Sequence, residues 1–238
     1  PPVPTPFAAD ESIDAAALGH NLRAMLAAPI RGVVVLGSNG EAPLIDDDDS
    51  ARVIDAARAA VPRDRPLVAG TGRESTRDTI RFTRRAAEVG ADAALVRTPS
   101  FFKAQLTAAA FIEHYTRVAD ASPIPILLYN YTALTGVTLP PDAVATLARH
   151  PNIAGMKESG TDETLISAYG AHASATFRLL GGTVTALHAS TAAGATGGSS
   201  TKHASDANAF PAAVAASRRA SSVARQCSAH STKVRHLP

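Results

Sequence analysis

Three side chains in this sequence have the types and positions that imine chemistry requires. Lys157 ends the short apolar segment Ile153–Met156, and a turn follows it at Ser159–Gly160. A lysine buried on such a strand tends to lose its proton, and the neutral amine is the state that attacks a ketone. Tyr129 and Ser38 each follow another apolar segment. We predict that Lys157 is the nucleophile, that Tyr129 moves protons and that Ser38 holds the tyrosine.

A glycine-rich turn predicts where a substrate carboxylate binds. The turn reads Gly37-Ser38-Asn39-Gly40-Glu41, after one apolar segment and before a helix. Backbone N–H groups in such a turn bind a carboxylate without an arginine. Together with the lysine, Ser38, Asn39 and Gly40 therefore indicate a 2-oxo acid substrate. An ordinary strand-to-helix turn is the alternative interpretation of the same residues.

Apolar segments of strand length alternate with amphipathic segments of helix length along the chain. This pattern predicts eight βα units and a TIM (β/α)8 barrel, an α/β fold. The first strand, Val3–Phe7, is truncated, and the last is expected within Ala193–Gly198. A doubly wound open sheet is the alternative. Against that alternative, the Gly70–Ser75 turn lacks the third glycine of the dinucleotide-binding motif.

The barrel fold predicts where the active site lies, because such sites form at the C-terminal ends of the strands. Those ends carry small hydroxyl and glycine residues around one lysine and one tyrosine. They are Thr5, Ser38, Asn39, Thr71, Thr98, Tyr129, Lys157, Gly181 and Gly182.

Composition excludes several classes of protein. Of 238 residues, 45% are hydrophobic and 18% charged, which is typical of a folded domain with a large core. No apolar run is long enough to span a bilayer, so we expect a soluble protein that binds no membrane. A cytoplasmic location is expected, with a mitochondrial one open because the chain starts at Pro1 without a methionine. The single cysteine and scattered histidines predict no metal site.

The charge distribution predicts a boundary near residue 198. Residues 1–198 form the barrel, whereas residues 199–238 are a basic tail rich in Ser, Ala and Arg, with six Lys or Arg and one acid. We expect this tail to be partly helical or disordered. It lacks the interleaved aromatic residues of nucleic-acid-binding modules, so we predict no nucleic-acid partner.

Two acidic features have structural interpretations. The run Asp46–Asp49 suits the first turn of a helix better than a calcium loop, because it lacks that loop's glycine and distal glutamate. Glu158 is expected on the opposite strand face from Lys157, in an outer salt bridge.

Two motifs and one tyrosine resemble those of a known family. The turn Gly37–Glu41 resembles the G-x-x-G-E motif, and Lys157–Asp162 the K-x-x-x-x-D motif, of the dihydrodipicolinate synthase and N-acetylneuraminate lyase family. Tyr129 lies where that family keeps its catalytic tyrosine. Within the family, the chain is most similar to 4-hydroxy-2-oxoglutarate aldolase.

This resemblance implies a class I aldolase that cleaves a 4-hydroxy-2-oxo acid to pyruvate and an aldehyde. It implies Lys157 as the Schiff-base lysine, Tyr129 as the proton relay and Ser38 as its partner, with no metal or organic cofactor. It also implies a homo-oligomer, tetrameric or dimeric. The substrate-binding residues expected from it are Ser38, Asn39, Gly40, Gly181, Ser159, Leu134 and Phe102.

Departures from the family pattern keep alternatives open. Leu134 stands where dihydrodipicolinate synthase has an arginine, and Phe101-Phe102 where the relay has a tyrosine. A phenyl ring cannot pass a proton, so water or another hydroxyl has to substitute. Phe101 and Phe102 are expected in either an interface or the substrate site. The alternatives are a dihydrodipicolinate-synthase-type condensation, a sugar-acid dehydratase, or an impaired homologue that binds 2-oxo acids.

Overall fold

The computed structural model describes residues 1–199 as a curled parallel sheet with helices along its outer face. The strands are β1 (Val33–Val35), β2 (Leu67–Gly70), β3 (Ala93–Arg97), β4 (Ile126–Asn130), β5 (Ile153–Glu158), β6 (Arg178–Gly181) and β7 (Gly197–Gly198). The helices are α1 (Ala15–Leu26), α2 (Asp47–Ala60), α3 (Thr76–Val89), α4 (Ala108–Ala121), α5 (Thr132–Thr135), α6 (Pro141–Leu147), α7 (Glu163–Gly170) and α8 (Leu187–Ala192).

The order of the strands identifies the fold. They pair in parallel in chain order from β1 to β7. A doubly wound sheet would reverse its order at a switch point, so that alternative is wrong. The sheet and its helices form the α/β architecture of the predicted TIM barrel, which is confirmed.

The predicted first strand is reduced to isolated bridges. Pro2 pairs with Val34 in parallel and Phe7 with Ile13 in antiparallel, and no strand forms over Val3–Phe7. Pro4 and Pro6 lie within that segment and have no N–H group to donate, so the ladder cannot continue along it.

The predicted last strand is also short. Only Gly197–Gly198 pairs with β6, while Gly194 adopts a φ of +91° in the preceding turn. The predicted tail, beyond Ser199, lies outside the described residues.

The acidic run Asp46–Asp49 begins α2, as predicted. Asp46 caps the helix by accepting a hydrogen bond from the Asp49 N–H at 2.8 Å. Asp48 forms a 2.8 Å ion pair with Arg85 on α3. Capping and ion pairing account for the acidic residues, consistent with a structural role.

The two faces of the sheet have different neighbours. Side chains on the inner face form one apolar cluster, which includes Leu95, Leu127 and Tyr129. The residues that alternate with them, such as Val96 and Leu128, pack with helix residues on the outer face. Strand alternation therefore decides which side chains reach the inside of the barrel.

A bulge in β5 changes this alternation before Lys157. The pairing of β4 with β5 skips Ala154 and resumes at Gly155, which has a φ of +154°. Ala154 faces inward and Met156 outward, so the extra residue returns Lys157 to the inner face. A Cβ on Gly155 would lie 2.1 Å from the Arg178 carbonyl oxygen, so this position requires glycine.

A buried histidine on α4 makes stability depend on pH. His114 is 6% exposed, and its Nδ1 lies 2.9 Å from Thr76 Oγ1. Its Nε2 is buried without a hydrogen-bond partner among residues 1–199. Burial lowers the pKa of His114 to about 4, so the unfolded chain takes up the proton first as pH falls.

We therefore expect stability to fall below pH 6.5, the unfolded histidine's pKa, and to continue falling towards pH 4. The histidine's contribution between about pH 7.5 and 5 is roughly 2 kcal/mol of unfolding free energy. Urea unfolding at both pH values measures it. His114→Asn should reduce the pH dependence by that amount, whereas His20→Asn, at an exposed site, should not. Equal pH dependence in the wild type and His114→Asn would contradict this assignment.

Candidate active site

The structure brings the three predicted residues together. Lys157 on β5 is in register with Tyr129 on β4, and Lys157 Nζ lies 4.8 Å from the centre of the Tyr129 ring. The Tyr129 hydroxyl lies 3.0 Å from Ser38 Oγ at the end of β1. The predicted contact between Ser38 and Tyr129 is therefore present, next to the lysine.

Lys157 is buried without a compensating charge. Its exposure is 4%, and no carboxylate among residues 1–199 pairs with it. Burial lowers the pKa of Lys157 to about 8. A substantial fraction of the amine is then neutral at physiological pH, which suits a nucleophile.

Tyr129 is held as a neutral phenol. Burial raises the pKa of Tyr129, and its hydrogen bond with Ser38 and the nearby Ser159 side chain partly oppose this shift. Ser159 is itself buried, at the turn after β5. Two serine hydroxyls therefore lie beside the phenol, which gives its proton two routes.

The glycine-rich turn supplies free backbone donors. Ser38–Gly40 forms a short 3₁₀ turn whose first internal hydrogen bond runs from Gly40 N–H to the Gly37 carbonyl at 3.0 Å. The N–H groups of Ser38 and Asn39 donate no hydrogen bond within residues 1–199. Thr5 Oγ1 donates to the Gly40 carbonyl at 2.8 Å and fixes the turn. This geometry suits a carboxylate.

Gly182, rather than the predicted Gly181, lies against the lysine. A Cβ on Gly182 would be 2.8 Å from Lys157 Cε and 2.0 Å from Ser159 Oγ. A Cβ on Gly181 would instead meet Ser190 on α8, at 3.1 Å. The alternation from Leu180, which faces inward, is the sequence signal that identifies Gly182.

Two predicted substrate-binding residues lie outside the buried part of the site. Leu134 on α5 is 64% exposed and Phe102 is 70% exposed. Phe102 makes an edge-to-face contact with Phe101, with ring centres 5.0 Å apart.

The predicted outer salt bridge of Glu158 is wrong. Glu158 is 2% exposed, and its carboxylate accepts hydrogen bonds from Asn130 Nδ2 at 2.6 Å and from the Gly160 N–H. Asn130 also accepts from the Leu139 N–H at 2.8 Å. Sequence reasoning missed this pair, which joins the ends of β4 and β5 beside Tyr129 and Lys157. Burial raises the pKa of Glu158 despite these donors.

The described residues contain neither a cluster of metal-binding side chains nor a membrane-spanning helix. Within residues 1–199, no group of three or more His, Cys, Asp or Glu side chains has the arrangement of a metal site. None of the described helices combines the length and apolarity needed to cross a bilayer.

Comparison with known sequences identifies the relatives of this chain. The profile of the dihydrodipicolinate synthetase family matches residues 1–222. The 4-hydroxy-tetrahydrodipicolinate synthase of Methanoculleus marisnigri is 41% identical over 169 residues, covering 70% of this chain and 57% of that protein. A protein of Emericella nidulans named probable 4-hydroxy-2-oxoglutarate aldolase, mitochondrial, is 36% identical and covers 74% of this chain and 59% of that protein.

Solved structures show the same fold. Escherichia coli YagE, a dihydrodipicolinic acid synthase family protein in complex with pyruvate, is similar with a TM-score of 0.78 and 31% identity. The match covers 84% of this chain and 68% of that one. The chain spans less than three fifths of the length of the two curated relatives above.

The burial of Lys157 predicts an unusual reactivity profile. We expect its acetylation by acetic anhydride, a small reagent, to rise with a midpoint near pH 8, because only the neutral amine reacts. Peptide mapping by mass spectrometry at a series of pH values measures this midpoint. Lys103, on an exposed loop, gives a reference in the same digests. A Lys157 midpoint near 10.5 would contradict the effect of burial.

Proposed function

Because the chain belongs to the dihydrodipicolinate synthetase family, we propose that it is a class I aldolase. In this proposal it cleaves a 4-hydroxy-2-oxo acid, such as 4-hydroxy-2-oxoglutarate or a 2-keto-3-deoxy sugar acid, to pyruvate and an aldehyde. One observation carries the proposal: Lys157 is buried without an ion pair among the described residues, beside a tyrosine that contacts Ser38. Such a lysine is equipped for imine formation and needs no metal or organic cofactor.

The first step joins the lysine to the substrate. The neutral Lys157 amine attacks the C2 carbonyl; uptake of one proton from solvent water through the Tyr129 hydroxyl and loss of water then leave a protonated imine between Nζ and C2. The substrate's C1 carboxylate binds the free N–H groups of Ser38 and Asn39. Only the neutral fraction of the amine reacts, and the proton that is taken up makes the imine cationic.

The second step breaks the carbon–carbon bond. Tyr129 accepts the proton of the C4 hydroxyl while its own proton passes to a serine hydroxyl, which releases a proton to water, and the C3–C4 bond breaks. Its electron pair moves into the imine to give an enamine, and C4 leaves as the aldehyde. A proton then returns to C3, and water hydrolyses the imine to release pyruvate and the free Lys157.

Ser159 supports this relay in a chain that lacks the family's loop tyrosine. Phe102 has no hydroxyl and its side chain is exposed, so it cannot pass the proton. Ser159 is buried, and its side chain lies close enough to Tyr129 to oppose the rise in the pKa of the tyrosine. We infer that Ser38 and Ser159 together replace the missing hydroxyl.

A dihydrodipicolinate-synthase-type condensation, which joins pyruvate to a second substrate, is the second candidate function. It is supported by relatives named 4-hydroxy-tetrahydrodipicolinate synthase, and it would use the same Lys157 imine with pyruvate. Leu134 weighs against that particular reaction, since an exposed leucine supplies no charge for a second carboxylate.

We also propose a homo-oligomer in the cytoplasm. The side chains of Phe101, Phe102 and Leu134 are more than 60% exposed, and such apolar groups favour burial against a second copy. A mitochondrial location is the alternative; the Emericella nidulans relative is named mitochondrial.

Pyruvate and borohydride together should mark Lys157. Reduction of the imine fixes one pyruvate to Nζ, so mass spectrometry should find a single adduct on the peptide that contains Lys157. Lys157→Met should show no adduct, whereas the matched Lys103→Met should label like the wild type. A folded wild-type protein that gains no adduct would overturn the proposed function.

The hydroxyl of Tyr129 should matter for cleavage. Tyr129→Phe should lower kcat for a 4-hydroxy-2-oxo acid by about 10² to 10³-fold, because it removes the proton acceptor. The neighbouring Tyr131, whose ring centre is 6.3 Å away, provides the matched control Tyr131→Phe, which should change kcat by less than about threefold. Release of pyruvate, measured with a coupled dehydrogenase, gives both values. Similar losses in the two variants would argue against a relay through Tyr129.

A further inference from the structure

Arg97 ends β3 on the inner face, one strand from Tyr129, and its guanidinium lies at the C-terminal edge of the sheet against Glu74. Ala93 and Leu95 on β3 belong to the inner cluster, so alternation puts Arg97 on the same face. Arg97 is in register with Tyr129, which is in turn in register with Lys157. The arginine and the lysine thus flank the tyrosine at the C-terminal edge of the sheet.

Part of the Arg97 guanidinium remains able to donate hydrogen bonds to a ligand. Arg97 Nη1 donates to Glu74 Oε1 at 2.7 Å and to the Thr98 carbonyl at 3.1 Å. Its Nε and Nη2 donate no hydrogen bond within residues 1–199, and the side chain is 24% exposed. An arginine carries five N–H donors in a planar fork, so one edge remains for an anion.

The surroundings hold this arginine in place. A Cβ on Gly72 would lie 2.8 Å from Arg97 Cγ, so the glycine leaves room for the side chain to cross the end of β2. Glu74 is itself fixed by the N–H groups of Ser100 and Phe101, at 2.8 and 2.9 Å. A guanidinium oriented by a fixed carboxylate loses less conformational entropy when it binds a ligand.

We propose that Arg97 binds the second carboxylate of a dicarboxylic 2-oxo acid and so sets the substrate specificity of this site. The proposal rests on the proposed aldolase function, in which Lys157 holds C2 and the Ser38–Asn39 turn holds the C1 carboxylate. The far end of the substrate then extends past Tyr129. Arg97 lies two strands from Lys157, a separation of about 10 Å between backbones that two inward side chains and a five-carbon diacid can bridge.

The alternative cation is Lys103, which approaches the loop that carries Leu134. A Cβ on Gly136 in that loop would be 3.2 Å from Lys103 Nζ. Lys103 is exposed, so water screens its charge more than that of the partly buried Arg97. We therefore assign the specificity to Arg97 and use Lys103 as the comparison.

The experiment compares two substrates that differ at one group. 4-Hydroxy-2-oxoglutarate carries a carboxylate where 4-hydroxy-2-oxopentanoate carries a methyl group, and both release pyruvate. In Arg97→Leu, the ratio of kcat/KM for the diacid to that for the monoacid should fall about 10- to 100-fold, as expected for loss of a charged hydrogen bond. Arg97→Lys should give a smaller fall, because it keeps the charge but loses the fork.

Two further variants separate specificity from structure. Glu74→Gln weakens the anchor of Arg97 and of the Ser100–Phe101 backbone, and Lys103→Met removes the other cation. Glu74→Gln should lower the diacid-to-monoacid ratio by less than Arg97→Leu does, because the guanidinium remains, and Lys103→Met should leave the ratio within about threefold of the wild type. An unchanged ratio in Arg97→Leu, or an equal fall in Lys103→Met, would overturn the proposal.

Pyruvate trapping with borohydride is run on every variant. If the wild type and Arg97→Leu both form the Lys157 adduct but the substrate ratio does not change, the Arg97 proposal alone fails. If the wild type forms no adduct, the aldolase function itself fails.

Discussion

The desolvation of one amine is the interaction on which the rest of the site depends. Lys157 loses its water on folding and finds no carboxylate among residues 1–199 to replace it, so its neutral form is more populated than that of an exposed lysine. A nearby acid would reverse this balance, because an opposite charge stabilises the ammonium ion. The one acid next to it in sequence, Glu158, is kept by strand alternation on the helix side, where Asn130 binds it.

The neighbours of the lysine are small or neutral for the same reason. Gly182 leaves the space that the Lys157 side chain fills, and Tyr129 offers a ring face to the amine at 4.8 Å without a full negative charge. Ser38 and Ser159 add hydroxyl groups that exchange protons at little electrostatic cost. The site therefore keeps a larger fraction of its reactive amine uncharged than an exposed lysine has.

The periodicity of the sequence predicted the barrel, and the ends of the predicted strands placed Ser38, Tyr129 and Lys157 at one edge of it. The sequence pattern could not predict which face of the sheet each residue of β5 occupies. Its extra residue lies at Ala154, and no local residue pattern distinguishes that bulge from a regular strand. Gly182, rather than Gly181, follows from the alternation of β6 past Leu180. Glu158 was expected on the correct face, but its burial depends on Asn130, which is distant in sequence and packs there.

The bulge at Ala154 also makes β5 unusually sensitive to insertions and deletions. Met156, Lys157 and Glu158 are consecutive, so loss of one residue upstream would turn the lysine toward the helices and the glutamate toward the barrel interior. Deletion of a single residue would thus put the carboxylate of Glu158 in place of the amine of Lys157 at the centre of the site. Homologous sequences aligned across this strand are therefore expected to vary in residue type but not in length between the start of β5 and the lysine.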